Sequence, residues 1–165
     1  MSDPGRIVVG MASADGVSYG VRLLEALRED AVEIHLVMTR GSEEALGAGV
    51  RRVRSLADRV YALENQAAPI SSGSFRTRGM VVAPCDGAGL AAITRGLATN
   101  LVFRAADVTL KEQRPLVVGL VSPPAVTTDE HVARAAEVPG LHVVRLDGPE
   151  EDGTATLLDR LRTAR

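Results

Sequence analysis

The sequence contains little of several residue types, and each scarcity excludes a class of protein. Its single cysteine, Cys85, cannot form an intrachain disulfide framework or a Cys-rich metal site. Aromatic residues make up only 2% and tryptophan is absent, so stacking surfaces for single-stranded nucleic acids are scarce. The 19 basic residues are interspersed with 21 acidic ones, a balance that does not favour a nucleic-acid partner.

The apolar runs are also short. Runs such as Ile7–Met11 have the length of a β-strand and fall well below the roughly 20 residues that cross a bilayer. No basic, apolar signal segment opens the sequence. We therefore expect a cytoplasmic protein with neither a membrane nor a nucleic-acid partner.

The composition that remains is that of one globular domain. Hydrophobic residues make up 45% and charged residues 24%, and a chain of 165 residues has the usual size of a single domain. We predict one domain over residues 1–165.

Apolar, β-branched runs alternate with segments of helical spacing. Arg6–Met11 precedes a helical pattern over Tyr19–Leu27, and Val32–Met38 then predicts a second strand. Later strand candidates each precede a helical segment: Met80–Pro84 before Leu90–Leu97, Pro115–Val121 before Thr128–Ala136, and Leu141–Leu146 before Thr154–Leu161. This alternation predicts a doubly wound α/β fold with a parallel sheet flanked by helices.

Two stretches interrupt the alternation. Gly41–Asp58 is rich in arginine and shows a helical pattern broken by Gly47 and Gly49. Gln66–Thr77 is a loop rich in small and hydroxyl residues. Loops of this kind often cover a binding site.

Ligands of an open parallel sheet bind beyond the carboxyl ends of its strands, so the turns there are the first candidates for a site. Ala12–Gly16 combines close backbone approach with a helix start, which suits a phosphate or a flat polar ring. Within this turn, Asp15 is equally compatible with an N-cap role. Thr39 and Arg40 end the second strand and suit a phosphate, but ordinary polar residues at strand ends look the same.

Cys85–Gly89 forms a second turn of small residues that leads into a helix. Cys85 has no histidine near it in the sequence, which favours a packing role over a nucleophilic one. His35, His131 and His142 lie far apart in strand or helix patterns, and structural roles are favoured for them. Metal-ligand spacings such as His-Glu-x-x-His are absent, so we predict no metal site.

Five segments, taken in order, carry a family pattern. They are RIVVG at Arg6–Gly10, YGVRLLEALRE at Tyr19–Glu29, VEIHLVMTR at Val32–Arg40, PISSGSFRTRGMVVAPC at Pro69–Cys85 and RAADVTLKEQRPLVV at Arg104–Val118. Together they closely resemble the UbiX-type flavin prenyltransferases. The long SGSF and KE-x-RPL stretches make this resemblance specific.

The resemblance implies a flavodoxin-like fold, FMN as cofactor and a homo-oligomer, which would be a dodecamer or another trimer-based assembly with FMN at subunit boundaries. Members of the family join a dimethylallyl group to reduced FMN, and UbiD-type decarboxylases use the product. A small-molecule substrate and a UbiD-like partner are therefore implied as well.

Carried over position by position, the resemblance also implies site residues. The cofactor-binding set comprises Ala12, Ser13, Gly16, Thr39, Ser72, Asp86, Gly87, Gly89 and Arg104. The catalytic set comprises Ser74 and Lys111, which the resemblance implies, and Asp15, whose role is inferred from its carboxylate. Thr39 and Arg104 would lie near the FMN phosphate, and Lys111 would meet the phosphate of the prenyl donor. A carboxylate such as that of Asp15, placed against a flavin edge, can act as a general acid or base.

The sequence departs from the family pattern around the phosphates. Asp15 replaces the usual serine of the first loop, and Asp86–Gly89 replace Ser-Met-Lys-Thr. Val121–Pro124 stand where the family has an Arg-Glu pair followed by Thr-Pro, and the C-terminal Tyr and Arg of the family clamp have no match before Arg165. Each charge-assisted contact to a phosphate is worth roughly 1.5 to 3 kcal/mol, so these changes predict weak binding of a prenyl phosphate.

We therefore interpret the chain as a UbiX-like enzyme that binds FMN, has largely lost the prenyl-phosphate clamp and catalyses another FMN-dependent reaction. One alternative is a functional flavin prenyltransferase that uses dimethylallyl phosphate, and another is a non-catalytic oligomeric flavin-binding module. A cysteine decarboxylase of the homo-oligomeric flavoprotein type is disfavoured. Those enzymes use a histidine before the strand at Met80, and no histidine occurs between Gln66 and Val82.

Overall fold

The computed structural model describes residues 5–121 and 126–164. Its strands are β1 (Arg6–Ala12), β2 (Glu33–Met38), β3 (Arg59–Tyr61), β4 (Gly79–Cys85), β5 (Leu116–Leu120) and β6 (Leu141–Arg145). Its α-helices are α1 (Val17–Glu29), α2 (Arg40–Leu46), α3 (Val50–Ser55), α4 (Gly87–Arg95), α5 (Leu101–Lys111), α6 (Val126–Ala135) and α7 (Glu150–Thr163). Short 3₁₀ turns cover Gly47–Gly49 and Pro69–Ser71.

The strands form one sheet in the order β3-β2-β1-β4-β5-β6, and each pairing is parallel. The chain winds outward from β1 to β3, returns to β4 beside β1, and then winds outward in the other direction. This order confirms the predicted doubly wound, flavodoxin-like α/β fold. It also places the reversal of winding between β1 and β4.

Each face of the sheet is covered by its own hydrophobic core because alternate strand residues point to opposite faces. In β1, Ile7, Val9 and Met11 pack towards α1 and α7, where Leu23 and Leu157 are fully buried. The intervening residues face a second core that includes Leu90, Leu101 and Val102. Full burial of one such leucine contributes roughly 1.5 to 3 kcal/mol. Strands covered on both sides need the continuous apolar runs that the sequence shows.

Most predicted elements are confirmed to within a few residues, but two elements were not predicted. The strand at Met80 was taken as the third, whereas β3 precedes it and makes β4 the fourth. β3 was missed because it has three residues, of which two are exposed, and therefore carries no apolar run. The helix α5 was missed because the helix predicted at Leu90–Leu97 already connected the strands β4 and β5. The buried residues of α5 nevertheless recur at helical spacing.

A polar chain holds the short edge strand β3 to β2. His35 on β2 is almost fully buried, with Nε2 2.7 Å from a carboxylate oxygen of Glu33 and Nδ1 2.8 Å from the Tyr61 hydroxyl. A carboxylate only accepts, so Nε2 carries a proton. In the neutral imidazole, Nδ1 then accepts the hydrogen bond that the Tyr61 hydroxyl donates. The neutral form therefore satisfies both partners.

We expect the free energy of unfolding to fall on acidification because of His35. Burial lowers the pKa of His35 below its usual value of 6.5, against the hydrogen bond and charge of Glu33, which raise it. Below pH 6.5 the unfolded chain therefore binds a proton at His35 more readily than the folded chain does. The contribution of neutral, buried His35 to the free energy of unfolding is present above pH 6.5 and is lost as the pH falls below it. One histidine cannot contribute a slope steeper than about 1.4 kcal/mol per pH unit.

Denaturant unfolding between neutral pH and about pH 5 measures this slope. Burial and Arg160 also lower the pKa of His142, so His142→Gln is the matched variant. The more deeply buried His35 should account for the larger part of the slope, and His35→Gln should therefore flatten it more than His142→Gln does. An unchanged slope in His35→Gln would contradict this account.

Candidate functional site

The crevice between the carboxyl ends of β1 and β4 lies where the winding of the sheet reverses, which is where open α/β sheets bind ligands. We call this side of the sheet the carboxyl edge. The loop from β1 to α1 and the loop from β4 to α4 border the crevice. These loops and the adjoining helix starts contain six of the predicted cofactor-binding positions, namely Ala12, Ser13, Gly16, Asp86, Gly87 and Gly89.

The N-terminus of α1 is open to an anion. Gly16 is its N-cap residue, with φ of 78°, and a Cβ there would lie 2.7 Å from Cγ1 of Val121, so glycine is required. Within the described part of the chain, no side chain caps this helix, and its first turn contains no acidic residue. The N–H of Tyr19 bonds to the carbonyl of Gly16 at 3.0 Å, so the N–H groups of Val17 and Ser18 are the ones that can donate to a phosphate or to polar ring atoms. Asp15 is exposed and precedes the N-cap, so the N-cap alternative for Asp15 is wrong.

Ser42, which the sequence analysis did not single out, joins the first two loops of the carboxyl edge. Its fully buried hydroxyl donates to the carbonyl of Ser13 at 3.0 Å. Thr39 is the N-cap of α2: its Oγ1 accepts from the N–H of Ser42 and lies 3.0 Å from the Ser42 hydroxyl. Because the Ser42 proton goes to Ser13, the Thr39 hydroxyl donates to Ser42. The spacing Thr-x-x-Ser at a helix start was the signal available for this network.

The N-terminus of α4 is closed by its own side chain. The Asp86 carboxylate accepts a hydrogen bond of 2.8 Å from the N–H of Gly89 and caps the helix. The helix dipole therefore compensates part of this negative charge. A Cβ on Gly89 would lie 2.8 Å from Sγ of Cys85, so glycine allows the helix to approach the strand. Cys85 is fully buried as predicted, and burial raises the pKa of its thiol.

Arg104 lies on the same side of the sheet as this crevice. The helix α5 begins at the carboxyl edge, since the N–H of Leu101 bonds to the carbonyl of Leu63 just after β3. Asn100 caps the helix through the N–H of Phe103 at 3.1 Å. Arg104 follows in the first turns, is exposed, and has no ion pair within the described residues. Its guanidinium is therefore available to a phosphate.

The remaining predicted residues lie at the opposite side of the sheet, which we call the amino edge. Arg114, just before β5, donates hydrogen bonds to the carbonyls of Gly73 and Phe75 at 2.8 and 2.9 Å. These bonds hold Ser72 and Ser74 near the amino end of β5, where Lys111 ends α5. The β4 strand between the two edges has seven residues, which corresponds to about 20 Å. One chain therefore does not bring Ser72 and Ser74 to the loop from β1 to α1.

Lys111 and Arg104 share one face of α5. They are seven residues apart, or about 10 Å along the helix, and both are exposed. Lys111 pairs with Asp107 at 2.8 Å, and its side chain is 71% exposed. The side chain of Asp107 is only 17% exposed, but the Lys111 ammonium faces solvent and can exchange this partner for another anion. The outer face of α5 therefore carries two cations that a phosphate-bearing ligand can use.

The residues at the carboxyl edge fit an FMN molecule. The start of α1 offers N–H donors, and Arg104 offers an exposed guanidinium, while Gly16 and Gly89 let the backbone of the two loops pack closely. The hydroxyl of Thr39 is the exception, because its proton is used by Ser42 in this arrangement. The departure from the family pattern at Ser122, Pro123 and Pro124 lies outside the described residues.

Within residues 5–121 and 126–164, no helix is long and apolar enough to span a bilayer. The same ranges contain no group of three or more His, Cys, Asp or Glu side chains that could hold a metal ion.

Comparisons with known proteins place the chain in a family. The family model described as Flavoprotein matches residues 1–157. A probable UbiX-like flavin prenyltransferase from Streptomyces sp. (strain D7) is 52% identical over 118 residues, which cover 68% of this chain and 59% of that protein. The flavin prenyltransferase UbiX of Neisseria meningitidis is 45% identical over 117 residues, covering 68% of this chain and 62% of that protein. The matched region thus spans about three fifths of the length of these curated relatives.

Solved structures extend the match to nearly the whole chain. A dodecameric FMN-dependent UbiX-like decarboxylase from Escherichia coli O157:H7 superposes with a TM-score of 0.87 at 37% identity, over 97% of this chain and 95% of that one. AnUbiX (PadA1), in complex with FMN and dimethylallyl pyrophosphate, gives a TM-score of 0.84 at 36% identity, over 97% and 93%. The chain therefore belongs to the flavoprotein family and to its UbiX-type branch.

Proposed function

We propose that this protein is a flavin prenyltransferase that joins a dimethylallyl group from dimethylallyl phosphate to reduced FMN. The observation that carries the proposal is the presence of two separate sets of anion-binding groups, one at each edge of the sheet. The carboxyl edge suits FMN, and the amino edge offers Lys111, Ser72 and Ser74 to a second phosphate. A reaction between two phosphate-bearing molecules requires two such sets.

Similar proteins support this proposal better than the hypothesis of a lost prenyl-phosphate clamp. Relatives at 52% and 45% identity carry the name flavin prenyltransferase, and AnUbiX holds both FMN and dimethylallyl pyrophosphate in its structure. The hypothesis of loss rests on the absence of the Arg-Glu pair at Val121–Pro124, on the unmatched C-terminal Tyr and Arg, and on the carboxylates of Asp15 and Asp86. Of these, the charge of Asp86 is partly compensated by α4.

Each side chain then has a role set by its position. The N–H groups of α1 and the Arg104 guanidinium bind the FMN phosphate or polar ring atoms, and Lys111 binds the donor phosphate. Ser72 and Ser74 hold the donor in place. Reduced FMN, held by the start of α1 and by Arg104, would supply the nucleophile, and the donor would release its phosphate in exchange for the new carbon bond. Lys111 stabilises the charge that develops on this leaving group.

We further propose that the complete site forms between protomers. About 20 Å of sheet separates the loop from β1 to α1 from Ser72 and Ser74 of the same chain. A second copy that places its serines and Lys111 against this loop removes the separation. The dodecameric assembly of a 37% identical relative supports an oligomer of this kind. A UbiD-like decarboxylase remains our proposal for the protein that uses the product.

The first prediction concerns transfer itself. The purified protein should bind FMN and, after reduction with dimethylallyl phosphate present, yield a flavin heavier by one dimethylallyl group in mass spectrometry. Lys111→Gln should retain FMN and lose at least tenfold in rate, because a charge-assisted phosphate contact is worth about 1.5 to 3 kcal/mol. Arg95→Gln, on an exposed residue at the end of α4, is the control. Absence of the heavier flavin with the unaltered protein would refute the proposed function.

The second prediction concerns the shared site. Gly16→Ala should lose FMN because its Cβ meets Val121, and Lys111→Ala should bind FMN without transfer. Each shared site needs an intact Gly16 loop from one copy and an intact Lys111 from another. In oligomers reassembled from equal amounts of both variants, about one site in four combines the two and should regain activity. Mixtures no more active than the separate variants would place each site within one chain.

The third prediction concerns Asp15, which supports a second candidate function. An exposed carboxylate beside the N-cap of α1 can act as a general acid or base in another FMN-dependent reaction. If Asp15 is catalytic, Asp15→Asn should lower turnover by a hundredfold or more while the affinity for FMN stays within about twofold. Unchanged turnover would remove Asp15 from the catalytic set.

A further inference from the structure

The segment Ser72–Phe75, which we call the serine loop, is fixed to its surroundings at both ends. The guanidinium of Arg114 donates from Nη2 to the carbonyl of Gly73 at 2.8 Å and from Nη1 to the carbonyl of Phe75 at 2.9 Å. Only 16% of the Arg114 side chain is exposed, and its other polar neighbour is Glu112 at 3.9 Å. Both terminal nitrogens of the Arg114 guanidinium therefore bind the backbone of this loop.

The ring of Phe75 is held by two further side chains. The guanidinium carbon of Arg6 lies 4.5 Å from the ring centre, within the range of a cation–π contact. The ring of His35 meets it edge-on, with 5.1 Å between centres and 74° between planes. His35 is in turn fixed by Glu33 and Tyr61. The end of the serine loop is thus attached to β1 and β2.

Two exposed hydroxyls stand on this fixed backbone. Ser72 and Ser74 are both exposed, and their oxygens are 2.9 Å apart. The N–H of Phe75 also bonds to the carbonyl of Ser72 and closes the loop into a turn. Two side chains this close can contact one ligand group together, but only while the backbone between them keeps its shape.

We propose that Arg114 is a positioning residue: by bridging the carbonyls of Gly73 and Phe75, it holds the Ser72 and Ser74 hydroxyls in the arrangement that binds the prenyl donor, an alkyl phosphate monoester. The proposal rests on the proposed function. It adds a residue that touches neither FMN nor donor and acts only through the loop. It also gives a physical reason for the two sequence stretches SGSF and KE-x-RPL, since the arginine of one binds the backbone of the other.

The geometry requires arginine at position 114 and not merely a cation. The two carbonyls are bridged by two nitrogens of one planar group, whereas a lysine ammonium is a point charge at the end of a flexible chain. Arg114→Lys therefore retains charge near Glu112 but cannot hold both carbonyls in the same way. Arg114→Gln removes the charge as well. Comparison of the two variants therefore separates the effect of the planar guanidinium with its two donor nitrogens from the effect of its charge.

The test uses the full-length, FMN-loaded protein with two readouts. Hydrogen–deuterium exchange reports the order of the loop amides at positions 73–76, and titration calorimetry reports the affinity for dimethylallyl phosphate without requiring turnover. We expect both Arg114 variants to exchange these amides at least tenfold faster and to bind the donor at least tenfold more weakly, with FMN affinity within twofold. Arg52→Gln, which breaks an exposed pair with Glu25 far from the loop, is the matched control and should change neither.

The outcomes separate this inference from the proposed function. If Arg114→Lys matches the unaltered protein in both exchange and donor affinity, the geometry of the guanidinium is irrelevant and the inference fails. If exchange rises but donor affinity is unchanged, Arg114 has only a structural role and the inference fails as well. If the unaltered protein binds dimethylallyl phosphate but forms no heavier flavin, the proposed function fails while the Arg114 comparison still decides the positioning role.

If the unaltered protein does not bind dimethylallyl phosphate at all, both proposals fail. Should Arg114→Gln not fold, Phe75→Leu provides the second variant, because it keeps an apolar side chain but loses the ring contacts with Arg6 and His35. It should raise exchange and weaken donor binding in the same direction. A normal affinity for the donor in Phe75→Leu would overturn the role of the ring.

Discussion

The length of the parallel strands is the constraint on which the site depends. Every strand of a parallel sheet runs in the same direction, so the loops at its two edges stay separated by the full strand length, here about 20 Å. The groups suited to FMN gather at one edge, and Ser72 and Ser74 are held at the other by Arg114. Because the strands are covered on both faces by packed helices, this separation cannot be shortened within one chain.

The three helices that begin at the carboxyl edge near β1 and β4 differ in how their N-terminal donors are used. Thr39 caps α2 and Asp86 caps α4, so part of their hydrogen-bonding capacity is satisfied internally. The start of α1 has no side-chain cap among the described residues and begins at a glycine with positive φ. The N–H groups at a helix start need acceptors. Because α1 has no side-chain acceptor of its own, its start is the strongest anion-binding position of the three.

Sequence patterns predicted the strands that are buried along their whole length. They did not predict the features that depend on tertiary contacts. The apolar runs of β1 and β4 predicted their strands, and the family resemblance placed Gly16 and Arg104 at one edge. The three-residue strand β3 carries no such run, since its stability comes from His35, Tyr61 and pairing with β2. Ser42 was missed because its importance lies in a tertiary contact with Ser13, although Thr-x-x-Ser at a helix start was a visible signal. The order of the predicted strands already implies opposite edges, since Ser72 and Ser74 precede the strand at Met80 whereas Ala12–Gly16 follows the strand at Arg6, but the resemblance assigned these residues to one site.

In the function proposed here, FMN and the prenyl donor meet between two copies of this chain. An experimental structure of the oligomer with FMN and dimethylallyl phosphate bound tests this arrangement. We expect FMN against the loop from β1 to α1 of one protomer, with the donor held by Ser72, Ser74 and Lys111 of another. A structure in which each chain binds both molecules using only its own residues would contradict it.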